Sequence, residues 1–296
     1  MNLTGLHLLL TLKCPLECDH CFVWSSPRQT ATMTLADVRH ILRDAILPGG
    51  IEWIHFEGGE PFLFPDLLLN GVREVARHGL KAGIVTNCFW ADNAQAALNT
   101  LRPFAGMLDR LSISCDPMHW NGQYLRRAQA AIAAAQELDI AVSQLRVVKP
   151  PTARGAAGLP PAEPSIMYRG RAAVRLANWA IRQPLAQFAA CPHENLRSPS
   201  RVHVDSYGNL LVCQGLSIGN LFHASLVEIC DGYDADKHPI VGPLVRGGPA
   251  ELARRYAPHD GSYVDACHAC YEVRRTLRMV FPEVLAPHEM YGVYPA

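Results

Sequence analysis

The hydrophobic pattern over the first 150 residues switches between two periods. Short apolar runs at Leu6–Leu12, Ile51–Phe56, Ala82–Thr86, Leu108–Ser114 and Ile140–Val148 read as buried strands. Between them, Leu35–Ile46, Asp66–Arg77, Asn93–Leu101 and Gln123–Leu138 carry apolar residues near i, i+3 and i+4, the repeat of a helix with one buried face. Thr34 and Asp92 stand where the first and third helices need an N-cap. Strand–helix alternation with a period of about 30 residues builds βαβ units and a parallel sheet. A sixth strand is expected near Ile166–Tyr168. The pattern therefore predicts an α/β fold, a partial (βα)6 TIM-like barrel, since eight closed units would need more chain.

Residues 149–165 are rich in Pro, Gly and Ala and read as a long loop. From about residue 186 the pattern changes. Val202–Val204 and Leu210–Val212 flank Asp205-Ser206-Tyr207-Gly208-Asn209 as a β-hairpin, and short helices are expected at Ser225–Ile229, Pro249–Tyr256 and Cys270–Met279. The chain should thus divide into an α/β body, residues 1–185, and a small cysteine-bearing C-terminal module, residues 186–296. Leu6–Leu12 has no basic stretch before it and no small-residue cleavage site after it, so it is not a signal-peptide core. No apolar run approaches the ~18 residues of a membrane helix. A cytoplasmic protein with no membrane partner is expected.

Composition sharpens this. The 27 basic and 27 acidic side chains cancel, which removes the basic field that a nucleic-acid binder needs. The ten cysteines of the 296 residues are too few for a disulfide scaffold. In a reducing compartment, clustered cysteines bind metal or carry redox chemistry.

Directly after the first strand comes Cys14-Pro-Leu-Glu-Cys18-Asp-His-Cys21. Three thiolates this close on one loop can converge on a single metal centre. A cubane iron–sulfur cluster normally takes four thiolates, so three in one run would leave one iron open. The competing reading is a zinc knuckle with His20 in place of a thiolate, although zinc sites usually space their ligand pairs more widely.

The C-x3-C-x2-C run at the end of the first strand resembles the radical SAM superfamily. The resemblance implies that Cys14, Cys18 and Cys21 hold a [4Fe-4S] cluster whose open iron chelates S-adenosylmethionine, with His20 beside the adenine. An electron, delivered by an external flavodoxin- or ferredoxin-like donor, would release a 5′-deoxyadenosyl radical. Phe56-Glu57-Gly58-Gly59-Glu60-Pro61, after the second strand, resembles the family's GGEP segment. Gly58, Gly59, Glu60 and Pro61 would then bind the cofactor's methionyl end, the glycines by allowing close backbone approach and Glu60 as acceptor for the ammonium. Ser112, Ser114 and Asp116 close the fourth strand, and Thr86 and Asn87 the third, where the family places polar contacts to the cofactor. Each could equally be a cap or turn residue. Arg169 and Arg171, in Arg-Gly-Arg-Ala, resemble a late barrel segment in which a guanidinium, that of Arg171 for instance, would clamp a carboxylate, and a plain surface charge fits them equally. The family's glycine-bearing fifth-strand motif is not recognisable at Ser143–Val148.

Cys191, Cys213, Cys267 and Cys270 form a second set, whose order resembles the twitch module, a reduced relative of the SPASM domain. Asp205-x-x-Gly208-x4-Cys213 followed by Ile218-Gly219-Asn220-Leu221 strengthens the likeness. It implies one auxiliary [4Fe-4S] cluster with every iron occupied by thiolate. A structural zinc ribbon fits Cys267-x2-Cys270 as well, and Cys230 could replace Cys191. Cys88 and Cys115 should sit at strand ends facing the cavity, where a thiol could pass a hydrogen atom, although the default role of cysteines outside motifs is packing. Cys115, Asp116 and His119 are the catalytic candidates, with Trp120 and Tyr124 as further residues at the substrate mouth.

A closed auxiliary cluster implies a net two-electron oxidation, because a substrate radical must lose an electron to become an oxidised product. Peptide maturation is favoured because that group of relatives is broad, even though the chain starts at its first strand with no peptide-recognition domain before it. Small-molecule dehydrogenation, as in the aminocyclitol dehydrogenase of antibiotic biosynthesis, is the runner-up. A non-enzymatic zinc protein is the alternative of a different class.

Overall fold

A computed structural model describes residues 1–46, 50–116, 118–119, 124–147, 166–256 and 261–294. Five parallel strands come first: β1 (Gly5–Thr11), β2 (Trp53–Gly58), β3 (Lys81–Thr86), β4 (Arg110–Ser114) and β5 (Ala141–Leu145). Helices α1 (Leu35–Ile46), α2 (Pro65–Arg77), α3 (Ala94–Leu101) and α4 (Tyr124–Glu137) make the crossovers between them. Each falls within a few residues of its sequence-derived position. Leu6, Leu8 and Leu10 of β1 are wholly buried in the core that includes Val38 and Ile41 of α1, whereas Leu9 packs on the other face with Val23, Leu211 and Met290. Truncating one such buried leucine typically costs about 2–5 kcal/mol, so β1 is secured from both faces.

Thr34 caps α1 as expected: its Oγ accepts from the Asp37 N–H at 3.2 Å, and Asp37 answers by accepting from the Thr34 N–H at 2.7 Å. The cap of α3 is Asn93 and not Asp92, with Asn93 Oδ1 accepting from Ala96 N at 2.9 Å. A one-residue shift suffices, because both side chains suit an N-cap.

The expected sixth strand at Ile166–Tyr168 is absent; those residues are buried without pairing. The Tyr168 N–H is instead taken by the Asp265 carboxylate, the N-cap of α8 (Ala266–Leu277), at 3.1 Å. The sixth parallel position lies on the opposite side of β1. There β7 (Arg201–Val204) pairs with Gly5–Leu8, and the antiparallel β8 (Asn209–Cys213) and β9 (Leu216–Asn220) continue outward, in the order β5-β4-β3-β2-β1-β7-β8-β9. The predicted hairpin is therefore real and extends the sheet of the N-terminal body. A two-residue ladder between β6 (Gln183–Pro184) and β10 (Ser262–Tyr263) ties the connecting segment to the chain just before α8. Helices α5 (Arg171–Arg175), α6 (Leu226–Gly232) and α7 (Val241–Tyr256) complete the described elements used below, and α7 is broken at Gly247 and Gly248. The loop expected at 149–165, Trp120 and the Tyr124 side chain lie outside the described residues.

Candidate functional site

The C-terminal ends of the parallel strands open on a cavity of about 560 Å3. Cys14, Cys18 and Cys21 line it from the loop after β1, Gly58 and Gly59 from the end of β2, Thr86 and Asn87 from β3, Ser114 and Asp116 from β4, and Gln144 and Leu145 from β5. Such a position is where parallel α/β sheets bind ligands.

The cysteine loop is closed at its base by backbone bonds from Cys14 N to Ser26 O (3.1 Å), Leu12 N to Ala31 O (2.9 Å) and Met33 N to Leu10 O (2.8 Å). Its sulfurs are met by donors. Leu16 N–H and Asn87 Nδ2 each reach Cys14 Sγ at 3.5 Å, and Ser25 N–H reaches Cys21 Sγ at 3.3 Å. Burial pushes the Cys14 thiol up, with the charges of Glu60, Cys21 and Cys18 adding to it, and burial with the Cys21 charge pushes Cys18 up to about 12. Cys14 and Cys18, whose thiols resist ionisation, need a cation beside them to become ligands. Among the described residues no fourth cysteine lines this cavity. The donor set thus fits a cluster with one open position.

Gly58 and Gly59 are required by close approach. Gly58 has φ +127, where a Cβ would meet Thr11 O at 2.3 Å, and one on Gly59 would meet Lys13 O at 2.1 Å. In return Gly59 N–H donates to Thr11 O (2.6 Å) and Glu60 N–H to Lys13 O (2.9 Å), clamping the β2 motif onto the cysteine loop.

Glu60 departs from its expected role. Its carboxylate is wholly buried and accepts from Phe62 N (3.1 Å), Asn87 N (2.8 Å) and Thr86 Oγ (2.9 Å). It braces the ends of β2 and β3 behind the cavity wall, leaving the wall itself to the two glycines. Pro61 begins a buried 3-10 turn and does not line the cavity. Arg171 also differs. Its backbone N–H donates to Cys21 O at 2.9 Å, and its buried guanidinium donates to Cys18 O (2.7 Å) and Ser25 O (2.6 Å). It holds the cysteine loop from behind. Gly170 before it has φ +60, and a Cβ there would strike Phe22 O at 2.4 Å.

Ser112 points away from the cavity, to Ser143 Oγ at 2.8 Å. Cys88 and Cys115, expected to face the cavity, are buried in the apolar core instead; Cys115 Sγ contacts Gln144 Oε1 at 3.4 Å. Cys115 follows the cavity-lining Ser114 and so turns to the other face, whereas Cys88 lies past the end of β3 with φ +61, where the strand's alternation no longer holds. Asp116, His119 and His20 do come together. His119 Nδ1 lies 3.0 Å from Asp116 Oδ1, His20 Nε2 3.8 Å from Asp116 Oδ2, and the two rings meet edge to face at 4.8 Å. Burial, with His119 beside it, pushes the His20 imidazole down to about 4. Burial alone would raise the Asp116 carboxyl, but the His119 contact and the His20 ring outweigh it, leaving an ionised acceptor in the cavity wall.

The second cysteine set also converges. Cys191, Cys213 at the end of β8, and Cys267 and Cys270 on the first turns of α8 line one small cavity, whereas Cys230 lies apart, its carbonyl near the N-terminal amine. Burial pushes the Cys267 thiol up and Cys270 up to about 11. Two guanidiniums face these sulfurs. Arg169 Nη1 reaches Cys213 Sγ at 3.6 Å, and the fully buried Arg274, bonded to Gln214 O at 2.6 Å, acts on Cys270. Arg169 lines both cavities.

Sequence reasoning passed over Glu57, Leu16, Phe22, Gln144, Arg146 and Met167 as lining residues. Only Glu57 carried a signal, a charge beside the glycine pair.

Residues 8–149 match the family model described as the radical SAM superfamily. A search of curated proteins finds no match. Among solved structures, the chain is similar to BtrN in complex with AdoMet and 2-DOIA, with a TM-score of 0.53 and 16% identity over 83% of this chain and 88% of that one. It is also similar to Streptococcus suis SuiB, with S-adenosylmethionine bound (TM-score 0.41, 13% identity, 86% of this chain and 75% of that one). SuiB with its precursor peptide SuiA gives a TM-score of 0.40 and 12% identity, over 86% and 74%. Among the described residues, no helix is long and apolar enough to cross a membrane.

Proposed function

We propose that the chain is a radical SAM oxidoreductase that performs a net two-electron oxidation of a small polar molecule, with a [4Fe-4S] cluster on Cys14, Cys18 and Cys21 and an auxiliary one on Cys191, Cys213, Cys267 and Cys270. The observation that carries this is the pair of separate thiol sites joined by Arg169, which lines both. Held by Cys14, Cys18 and Cys21 and the backbone of Gly58 and Gly59, S-adenosylmethionine and its cluster would supply radical chemistry able to oxidise a substrate C–H bond. The chain's part is to hold the ligands, exclude water and give the remaining electron an exit. Gly58 and Gly59 present backbone to the cofactor, and Asn87 with the amides of Leu16 and Ser25 tempers charge on the sulfurs. Ionised Asp116 can accept a proton or hold a hydroxyl or ammonium. The Arg169 guanidinium stands between the cavity and Cys213, where an electron has to pass.

Sulfur spacing supports clusters over single ions. Thiolates sharing one zinc at about 2.3 Å lie roughly 3.8 Å apart. Among the described residues, the only groups of three or more ligand atoms within 4.8 Å of one another are His7/Glu57/His203 and His20/Asp116/His119, and neither cysteine set is one. Within this reading, residues 1–185 are the radical SAM body and 186–296 the auxiliary module, and the reducing electron comes from a flavodoxin- or ferredoxin-type donor.

The substrate reading rests on five polar side chains, His20, Asp116, His119, Gln144 and Arg146, set in the otherwise largely apolar wall of a cavity of about 560 Å3, a volume suited to cofactor plus a small molecule. The neighbour solved with AdoMet and 2-DOIA agrees with it. Peptide maturation is the second reading. It is favoured by β5, a sheet-edge strand with Ala141, Gln144 and Leu145 exposed, to which an extended peptide could pair. Anaerobic incubation with reductant and S-adenosylmethionine should yield 5′-deoxyadenosine. If iron is loaded and none forms, the radical reading fails.

A further inference from the structure

On the sheet face turned away from α1, three strands bring together residues that supply no thiol to either cysteine site. His7 on β1 pairs in register with His203 on β7, and Leu9, two residues on, pairs with Glu57 on β2. Glu57 Oε1 lies 3.0 Å from His203 Nε2 and 3.4 Å from His7 Nδ1, and all three donor atoms fall within 4.8 Å of one another. Glu57 Oε1 and His7 Nδ1 are nevertheless buried without an aligned hydrogen bond. Buried polar atoms held only by such poorly aligned ion-pair contacts are costly, and a cation among the three would satisfy them together.

The spacing indicates which partner. Two ligand atoms bound to one tetrahedral ion at about 2.0–2.1 Å lie roughly 3.3–3.4 Å apart, and the two separations bracket that value. The set of two imidazoles and one carboxylate is one that zinc takes when it keeps a fourth position open. The surroundings hold the ligands in place: the His7 ring stacks on His203 at 4.8 Å and meets Trp53 and His55 edge-on at 5.0 and 5.3 Å. Gly5 and Gly83 leave the room that these β2 side chains occupy, since a Cβ at either would collide with the Trp53 or His55 ring.

We infer that His7, Glu57 and His203 form a binding site for one divalent cation of the zinc class, distinct from both cysteine sites. Glu57 also lines the large cavity, so an ion held here would lie beside that cavity.

The test uses the iron-loaded protein, freed of loosely held metal by a mild chelator and titrated anaerobically with Zn2+ alone. Zinc, iron and sulfide are then measured after dialysis. The wild type should retain one zinc per chain with iron unchanged. Glu57→Gln and His203→Ala should each weaken retention by about tenfold or more, while His55→Ala, beside the trio but outside it, stays within about threefold. Unchanged iron content and far-ultraviolet circular dichroism certify that each variant is folded. Absence of zinc uptake, uptake indifferent to Glu57→Gln and His203→Ala, or uptake matched by iron loss from the thiols would each overturn the site. 5′-Deoxyadenosine formation is assayed separately, so failure here leaves the radical reading standing, and the converse holds.

Discussion

The two cysteine sites are built in opposite ways. The first takes its thiols from eight consecutive positions on one loop, opens on a large cavity, and receives mostly backbone amides and one asparagine on its sulfurs. The second gathers four thiols from a connecting segment, a strand end and a helix, and faces them with two buried guanidiniums. An open site with three thiols suits exchange of a ligand at one iron; a closed one with four suits passage of an electron. The lesson is that charge compensation follows the task. On the proposed reading, weak dipoles would leave an open iron available at the first site, whereas full positive charges would stabilise a buried anionic cluster at the second.

The sharpest break between the sites should come from removing one thiol at each. Cys14→Ala should abolish 5′-deoxyadenosine formation, a loss of about a thousandfold or more, because no bound cofactor remains to be cleaved. Cys267→Ala should leave that cleavage within about tenfold of wild type and remove oxidised product, the signature of a lost electron exit. Normal turnover in Cys267→Ala would end the electron-acceptor role.

The guanidiniums come next. Arg274→Met leaves buried sulfur charge uncompensated, and breaking such a buried pair typically costs about 3–5 kcal/mol. The melting temperature of the iron-loaded protein should fall by on the order of 10 °C. Arg175→Met, whose partners Glu17 and Asp19 lie on the surface, should change it by no more than about 2 °C.

The smallest effect concerns the hairpin that carries Cys213. Burial raises the Asp205 carboxyl from 3.8 to about 6, against the bonds it accepts from Asn209 and Tyr207. The folded chain therefore holds this proton more tightly than the unfolded one. The stability it contributes is complete below about pH 3.8 and lost as pH rises through about 6, at most about 3 kcal/mol. Asp205→Asn should flatten that part of the denaturation midpoint's pH dependence between pH 4 and 7 without changing iron content at either site.

The first site was more legible in the sequence than the second because its determinants are local. The alternation of five apolar runs with four helical stretches located β1–β5 and α1–α4, and the Cys14–Cys21 spacing located the loop. What escaped depended on pairing across long separations. Ile166–Tyr168 is apolar enough for a strand, yet Tyr168 N–H is taken by Asp265 nearly a hundred residues away, and β7 claims the free edge of β1. Glu60 has the chemistry of an ammonium acceptor, but Thr86 and Asn87 arrive first. Arg171 likewise finds carbonyls of the cysteine loop before any ligand. His7 and His203 drew no notice in the sequence, and the parallel pairing of β1 with β7 is what makes them neighbours.

The claim that both sites hold iron–sulfur clusters is tested most directly by counting iron and acid-labile sulfide in anaerobically purified protein. The wild type should give about eight of each per chain, and Cys14→Ala and Cys267→Ala about four each. Zinc without sulfide at either site, or an iron count that the two substitutions leave unchanged, would contradict it.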